Sequence, residues 1–273
     1  MQPPASPFES ARLLEHLPAK TRRRIASLCV LDTTASTSDE LLARAGEDAG
    51  KPAAGLFDLC LAQSQTAGRG RFGNTWVSPP GGGVYLSAAW RASVGETRAA
   101  WLGLMTASAL ARRLQKAGVR GVGVKWPNDL YCDGVRGAGG VTKLGGVLVE
   151  RRGSLCVAGV GLNVSLPARA GAAIERPWTT LAEAGLAVSA DGVAAMVVEA
   201  IVEAADCVAS AGIAAMAERF APLDFLNGRP VEVVSSNGSF SGVAKGVNRE
   251  ARLRVQAQGG IRTCRCEEVS VRL

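Results

Sequence analysis

"QTAGRGRFGNTWVSPPGGGVYLS", Gln65 to Ser87, sets two arginines among glycines and then runs through a Pro-Pro-Gly-Gly-Gly turn into an apolar stretch. Each glycine loses more backbone freedom on ordering than any other residue, about 0.5–1 kcal/mol against alanine. An arginine loop built this way is expected to stay mobile until an anion orders it. Arginine forks match phosphate oxygens in bidentate fashion, and glycine lets backbone N–H groups approach. Read alone, Gly68-Arg69-Gly70-Arg71 is open to three readings: a phosphate clamp, an RNA-contacting segment, or a solvated turn. It is not a Walker loop, because GxxxxGK[ST] occurs nowhere in the chain.

On either side of the loop the pattern is that of strands. "FDLCLAQ" alternates Phe57, Leu59 and Leu61 against Asp58 and Cys60, and "VYLSAAW" follows the loop directly. Ahead of them, "SLCVLD" reads as a strand and "TTASTSDELLARAG" as a turn into a helix, with Thr37-x-x-Glu40 as a capping box. Behind them, Trp101, Leu104, Ala107, Ala111 and Leu114 recur at three and four, predicting a helix that Gly118 ends. "GVGVKW" reads as a strand broken by Pro127, and "KLGGVLVE" and "SLCVAGVGLNV" as a hairpin about Arg151-Arg152-Gly153. "CDGVRGAGG" between them reads as an exposed glycine-rich excursion. After Asn163 the chain is expected to turn helical, with a long amphipathic helix from Asp191 to Ser210. From Asn227-Gly228 onward short strands predict a small β-barrel, with Asn237-Gly238 as a hairpin turn.

Composition bounds the rest. The 273 residues carry 31 basic and 24 acidic side chains, a net charge of +7, which permits a nucleic-acid, membrane-surface or anionic partner without choosing among them. Arg22-Arg23-Arg24 is the densest basic run and reads as a solvated helix face. Seven cysteines, an odd number set mostly in apolar runs, point to structural thiols in a reducing, cytoplasmic compartment. Cys264-x-Cys266 lacks a second pair at zinc spacing. His16 is the only histidine, which argues against histidine-based catalysis. The first ten residues, with three prolines, are expected to form a disordered lead, and no apolar run is long enough to span a membrane.

"GRGRFGNTWVSPPGGGVYLS", "KWPNDL", "KLGGVLVE" and "GVGLNV" occur in this order, with "STSDELL" ahead of them and a small β-domain behind. Together they resemble the bacterial biotin protein ligases, over nearly nine-tenths of the chain. The resemblance implies an α+β fold: a class II synthetase-like catalytic domain, with a mixed central sheet flanked by helices, and a small C-terminal SH3-like β-barrel. The expected division is a short extension at 1–27, a catalytic domain at 28–226 and the barrel at 227–273. It implies an ATP-dependent, AMP-forming ligase that activates biotin as biotinyl-5'-AMP and passes it to a lysine of the biotin carboxyl carrier protein of acetyl-CoA carboxylase, with Mg2+ accompanying ATP.

Carried over position by position, the resemblance assigns Ser36, Thr37, Gln65, Gly68, Arg69, Arg71, Tyr85, Ser87, Lys143 and Gly145 to biotin. The usual Asn after the Ser-Thr pair is Ser38 here. Arg69, Arg71, Trp76, Asn128, Lys143 and Asn163 are assigned to ATP, and Arg71, Lys143 and Asp129 to catalysis, with Asp129 also the candidate near the metal. Lys125 is a further candidate cation. The bare residues leave alternatives standing: Trp76 and Trp126 as core aromatics, Tyr85 as a buried strand residue, Ser36 and Thr37 as a helix cap. A lipoate or octanoate ligase would share the core fold, but its Arg-Arg-x-Ser-Gly-Gly-Gly stretch and following histidine are absent. An RNA- or DNA-binding regulator is the rival from another class; no DNA binding is expected, and an exposed strand edge would permit a homodimer.

Overall fold

A computed structural model describes residues 8–45, 52–135, 140–167, 171–172, 174–236, 238–266 and 269–272. Two short helices, α1 (Ser10–His16) and α2 (Ala19–Arg22), lead into β1 (Ile25–Thr34) and then α3 (Thr37–Arg44). Next come β2 (Phe57–Gln65), β3 (Gly83–Arg91), α4 (Glu96–Ala99), α5 (Trp101–Lys116), β4 (Val122–Lys125), β5 (Asp129–Asp133), β6 (Val141–Arg152) and β7 (Leu155–Asn163). They build a seven-stranded sheet in the order β1-β2-β3-β7-β6-β5-β4. Only β1 and β2 run parallel in it; the other neighbours are antiparallel. A mixed sheet of this kind follows from the connections: α3 carries the chain back across the sheet between β1 and β2, whereas β6 and β7 need only the turn at Gly153. Gly118, at φ +105, ends α5 where its spacing predicted.

Two helices cover one face: α5 and α6 (Ala190–Ser210), followed by α7 (Ile213–Phe220). Ser189 caps α6 by accepting the Gly192 N–H at 3.1 Å. The stretch between Asn163 and this helix, expected to be helical, is instead mostly turns among its described residues; its role is to pin β6, as shown below. The alternation read in β2 also fails, because Cys60 is as buried as Leu59 and Leu61. This strand lies inside the sheet, with α3 packing Leu41 and Leu42 on its Cys60 face and the main core on the other, so it is apolar on both sides. Nor is all of the Arg22–Arg24 run solvated: Arg24 pairs with Asp206 at 2.7 Å and its guanidinium lies 5.0 Å from the Phe57 ring centroid. The expected disordered lead begins in residues 1–7, outside the described residues, yet Phe8, Leu13 and Leu17 are already buried against the core.

The C-terminal strands β8 (Pro230–Ser235), β9 (Gly238–Val247), β10 (Leu253–Ala257), β11 (Gly260–Cys264) and β12 (Val269–Arg272) form an antiparallel sheet ordered β11-β10-β9-β8-β12. Asn237 of the expected turn lies outside the described residues, but Ser235 pairs with Gly238 across it. The buried indole N–H of Trp126 donates to the Ala251 carbonyl at 2.8 Å, and that of Trp101 to the Arg249 carbonyl at 3.0 Å. Val231, Val233, Leu253 and Val255 share one apolar cluster with α5 and α6. All seven cysteines are free thiols, and no described helix is long and apolar enough to cross a membrane.

Candidate active site

The N-terminus of α3 is built on serine and threonine. Ser36, in extended conformation, is the cap and accepts the Asp39 N–H. The expected Thr37-x-x-Glu40 capping box is therefore displaced by one residue, and Glu40 instead accepts the Thr34 hydroxyl at 2.6 Å. That frees Thr37 to turn inward. Its N–H donates to Gln65 Oε1 at 3.0 Å, and its hydroxyl lies 2.7 Å from Ser87 Oγ. Ser38 Oγ reaches the same Ser87 oxygen at 3.0 Å, and Gln65 Nε2 donates to Ser78 Oγ at 3.0 Å. Thr37, Ser38, Ser78 and Ser87 are all buried: a polar knot between the start of α3 and the interior strands β2 and β3, in which donors and acceptors are shared.

Two glycines of "GVGLNV" make room beside it. A Cβ on Gly159 would sit 2.7 Å from Ser38 Oγ and 3.2 Å from Ser87 Oγ. On Gly161 it would sit 2.4 Å from Cε2 and Nε1 of Trp76, whose ring therefore rests on bare β7 backbone. The Trp76 indole nitrogen is buried without a partner. Lys143 Nζ stands 5.3 Å from the same ring and pairs with Asp129 Oδ1 at 2.8 Å. The Lys143 backbone is gripped by the turns between β7 and α6: its N–H donates to Pro177 O and its carbonyl accepts from Thr179 N–H, both at 2.9 Å. The glycine-rich excursion, of which residues 136–139 lie outside the described ones, thus ends in a lysine held firmly in β6. Lys125 lies 4.9 Å from the Tyr131 ring centroid. Burial, helped by Lys143 and Arg176 and opposed by Asp129, pulls its ammonium down to about 8.

A lysine depressed in the folded state weakens the fold most where both states are protonated, below pH 8. Stability recovers as pH climbs toward the ordinary value of roughly 10.4, because there the unfolded chain holds the proton that the folded one has released. Lys125→Met is expected to raise Tm by a few degrees at pH 7, with the advantage shrinking toward pH 10. A gap of the same size at both pH values would show that packing alone, not the charge, had changed.

Other expected site residues serve the backbone. Asn128 donates to the Val147 carbonyl and accepts the Val147 N–H at 3.0 Å, stitching β5 to β6. Asn163 is buried and donates to Thr179 O at 3.1 Å. Tyr85 closes the Pro79–Gly82 turn through its hydroxyl, at 3.1 Å from Pro79 O, and burial holds its phenol well above the ordinary range. Gly145 is needed for strand packing: a Cβ there would meet Gly161 O at 2.8 Å. Gly68 lets its loop fold flat, since a Cβ would stand 2.5 Å from Trp76 O. Arg69 pairs with Asp39 at 2.7 Å and Glu150 at 2.9 Å, while Arg71, at the loop tip, donates to the Cys266 carbonyl of the C-terminal unit.

Residues 50–165 match the model of the biotin/lipoate A/B protein ligase family. The bifunctional ligase/repressor BirA of Escherichia coli is 33% identical over 251 residues, spanning 90% of this chain and 74% of its own length. This chain belongs to that family. The biotin–[acetyl-CoA-carboxylase] ligase of Mycobacterium tuberculosis is 35% identical over 165 residues, 59% of this chain and 56% of that one. The fold is likewise that of the biotin protein ligase of Aquifex aeolicus, solved with biotin and ATP: TM-score 0.72, 23% identity, 90% of this chain and 99% of that one.

For a ligase of this family, the sequence signal missed Ser78, Asp39, Glu150, Gly159 and Gly161. The two glycines stood inside a motif already singled out, but only the crossing of Trp76 and Ser38 over β7 shows what their missing side chains are for. Among the described residues no three His, Cys, Asp or Glu side chains cluster as a metal site. Asp129 is a single carboxylate beside the cations. That fits Mg2+ arriving on a nucleotide, since this ion keeps several waters and takes only one or two carboxylates with the phosphates.

Proposed function

We infer that this protein is a biotin protein ligase: it activates biotin with ATP to biotinyl-5'-AMP and transfers the biotinyl group to a lysine of a biotin carboxyl carrier protein. One observation carries the assignment of the site. A chain of hydrogen bonds runs from Thr37 through Gln65 and Ser78 to the Trp76 carbonyl, and so joins the buried polar knot to the indole on which Lys143 stands. A ureido ring needs such a set of buried donors and acceptors, and an anionic phosphate needs the cation beside it. We assign Ser36, Thr37, Gln65 and Ser87 to biotin, and Trp76, Lys143 and Arg71 to the nucleotide and phosphates. Asn128 and Asn163 act by holding β6 and the 177–179 segment in place.

The biotin carboxylate is ionised at neutral pH, so its attack on the α-phosphorus of ATP needs no base. Lys143 draws the two anions together, and Arg71, at the loop tip, meets the charge that grows as pyrophosphate leaves. Mg2+, where bound at Asp129, would supply further neutralisation of the phosphates. In the second step the acceptor lysine must lose a proton from an ammonium of ordinary pKa near roughly 10.4. Lys143, Lys125 and Arg71 favour its neutral form, and Asp129, beside Lys143, is the candidate to take the proton. The amine then displaces AMP from the biotinyl carbonyl.

ATP–pyrophosphate exchange with Mg2+ tests this reading, comparing biotin, lipoate and octanoate. Exchange is expected with biotin alone. Exchange with another acid instead would keep the fold and overturn the substrate.

A further inference from the structure

Arg69 and Arg71 are two residues apart but occupy different mechanical worlds. The segment between β2 and β3 is a small hairpin whose base is pinned. Gln65 N–H donates to Ser78 O at 3.1 Å, Trp76 N–H to Gly68 O at 2.8 Å, and Arg69 bridges Thr75. The tip is closed by Gly70 N–H to Asn74 O at 2.7 Å and Asn74 N–H to Arg71 O at 3.1 Å, but it is exposed and carries a strained residue, Phe72, with φ +57 and 58% exposure.

Arg69 stands on the pinned part, and its Nη2 is bonded to two carboxylates, Asp39 Oδ1 at 2.7 Å and Glu150 Oε2 at 2.9 Å. Asp39 lies in the first turn of α3, two residues after Thr37, and Glu150 lies in β6, seven residues after Lys143. One guanidinium thus ties the hairpin to the helix that carries the polar knot and to the strand that carries the lysine. With two anions already on it, the trio has a net charge of −1, so Arg69 has no positive charge left to offer a phosphate. Among the described residues Arg71 pairs with no carboxylate; it donates to the Cys266 carbonyl.

We propose that Asp39 and Glu150 are positioning residues that rivet Arg69, so that the hairpin base is fixed and only the tip, with Arg71, closes over the acyl-adenylate. The proposal rests on the ligase reading for its second readout, but not for its first. Its sign is opposite to that of plain electrostatics. Removing two anions from the mouth of an anion site should otherwise draw the ligand in more strongly. Loss of the rivet should let it go.

The test is the double variant Asp39→Asn/Glu150→Gln, with Asp39→Glu as the conservative control and Arg69→Ala alongside. The first readout is tryptic cleavage after Arg71, a site kept in every variant, in the protein without ligand; the second is the lifetime of enzyme-bound biotinyl-5'-AMP. We expect cleavage about tenfold faster and adenylate loss about fivefold faster in the double variant, with Arg69→Ala matching it and Asp39→Glu close to wild type. Cleavage within twofold of wild type, or a longer adenylate lifetime, would overturn the proposal. So would an Arg69→Ala variant that sheds adenylate far faster than the double variant, because Arg69 would then touch the anion itself. If wild-type protein formed no adenylate at all, the ligase reading would fall while the cleavage arm still decided the rivet.

Discussion

Replacing Lys143 by alanine is expected to cut biotin-dependent pyrophosphate exchange by roughly 10²–10³-fold, about 3–4 kcal/mol, the usual loss when one preorganised donor to developing charge is removed. The fold should survive, because the neighbours hold the backbone of Lys143 rather than its side chain: Pro177 and Thr179 bond its amide and carbonyl. What disappears is a partly buried ammonium, 2.8 Å from Asp129 and 5.3 Å from Trp76. Asp129 is then left as an unopposed carboxylate facing two anionic substrates, which adds repulsion to the lost attraction. Lys143→Arg should not restore activity, since a planar fork cannot stand in for a compact point charge over an indole at the same reach. Exchange rates with Tm measured in parallel check this; near wild-type exchange in Lys143→Ala would remove the residue from the reaction.

Single methyl groups on β7 are expected to separate the two substrates. In Gly161→Ala the new Cβ would fall 2.4 Å from the Trp76 ring, which must leave the strand and abandon its place under Lys143. The apparent KM for ATP should rise at least tenfold, about 1.4 kcal/mol, with biotin affinity changed much less. In Gly159→Ala the conflict is with Ser38 and Ser87 oxygens, so the larger effect should fall on biotin and not on ATP. Steady-state exchange with each substrate varied decides the matter. Equal effects on both substrates in both variants would mean that the sheet had shifted as a whole and that the two glycines do not floor separate compartments.

Much of this fold is legible in the residues, for reasons that are local. The apolar runs on either side of the arginine loop mark β2 and β3, though not by alternation, since both strands are buried on both faces; the three-and-four spacing from Trp101 marks α5, and Gly118 and Gly153 mark ends that need positive φ. β5 is not legible: "DLYCD" is five residues, polar at both ends, squeezed between Pro127 and a glycine run, and it becomes a strand only because β4 and β6 flank it. The lengths of the loops hide the rest. Asp39 and Glu150 meet Arg69 across 30 and 81 residues, and no pattern along the chain encodes such a meeting. The family motifs marked these segments, but they could not distinguish Arg71, bonded to the Cys266 carbonyl, from Arg69, held between two carboxylates, because both stand in one glycine-flanked tetrapeptide.

The two indole N–H groups that bond into the β9–β10 turn have a consequence for how the molecule is held together. Trp101 and Trp126 belong to the larger sheet's core, yet among the described residues their indole N–H groups bond to the Arg249 and Ala251 carbonyls. Without that turn each indole would lose its acceptor and the cover that keeps it from water; the lost bonds alone are worth about 0.5–1.5 kcal/mol apiece, against a whole-domain stability of roughly 5–15 kcal/mol. The C-terminal strands therefore behave as a keystone for the arch beside them, and a chain ending at the domain boundary would lose catalytic-domain stability as well as a contact for the loop.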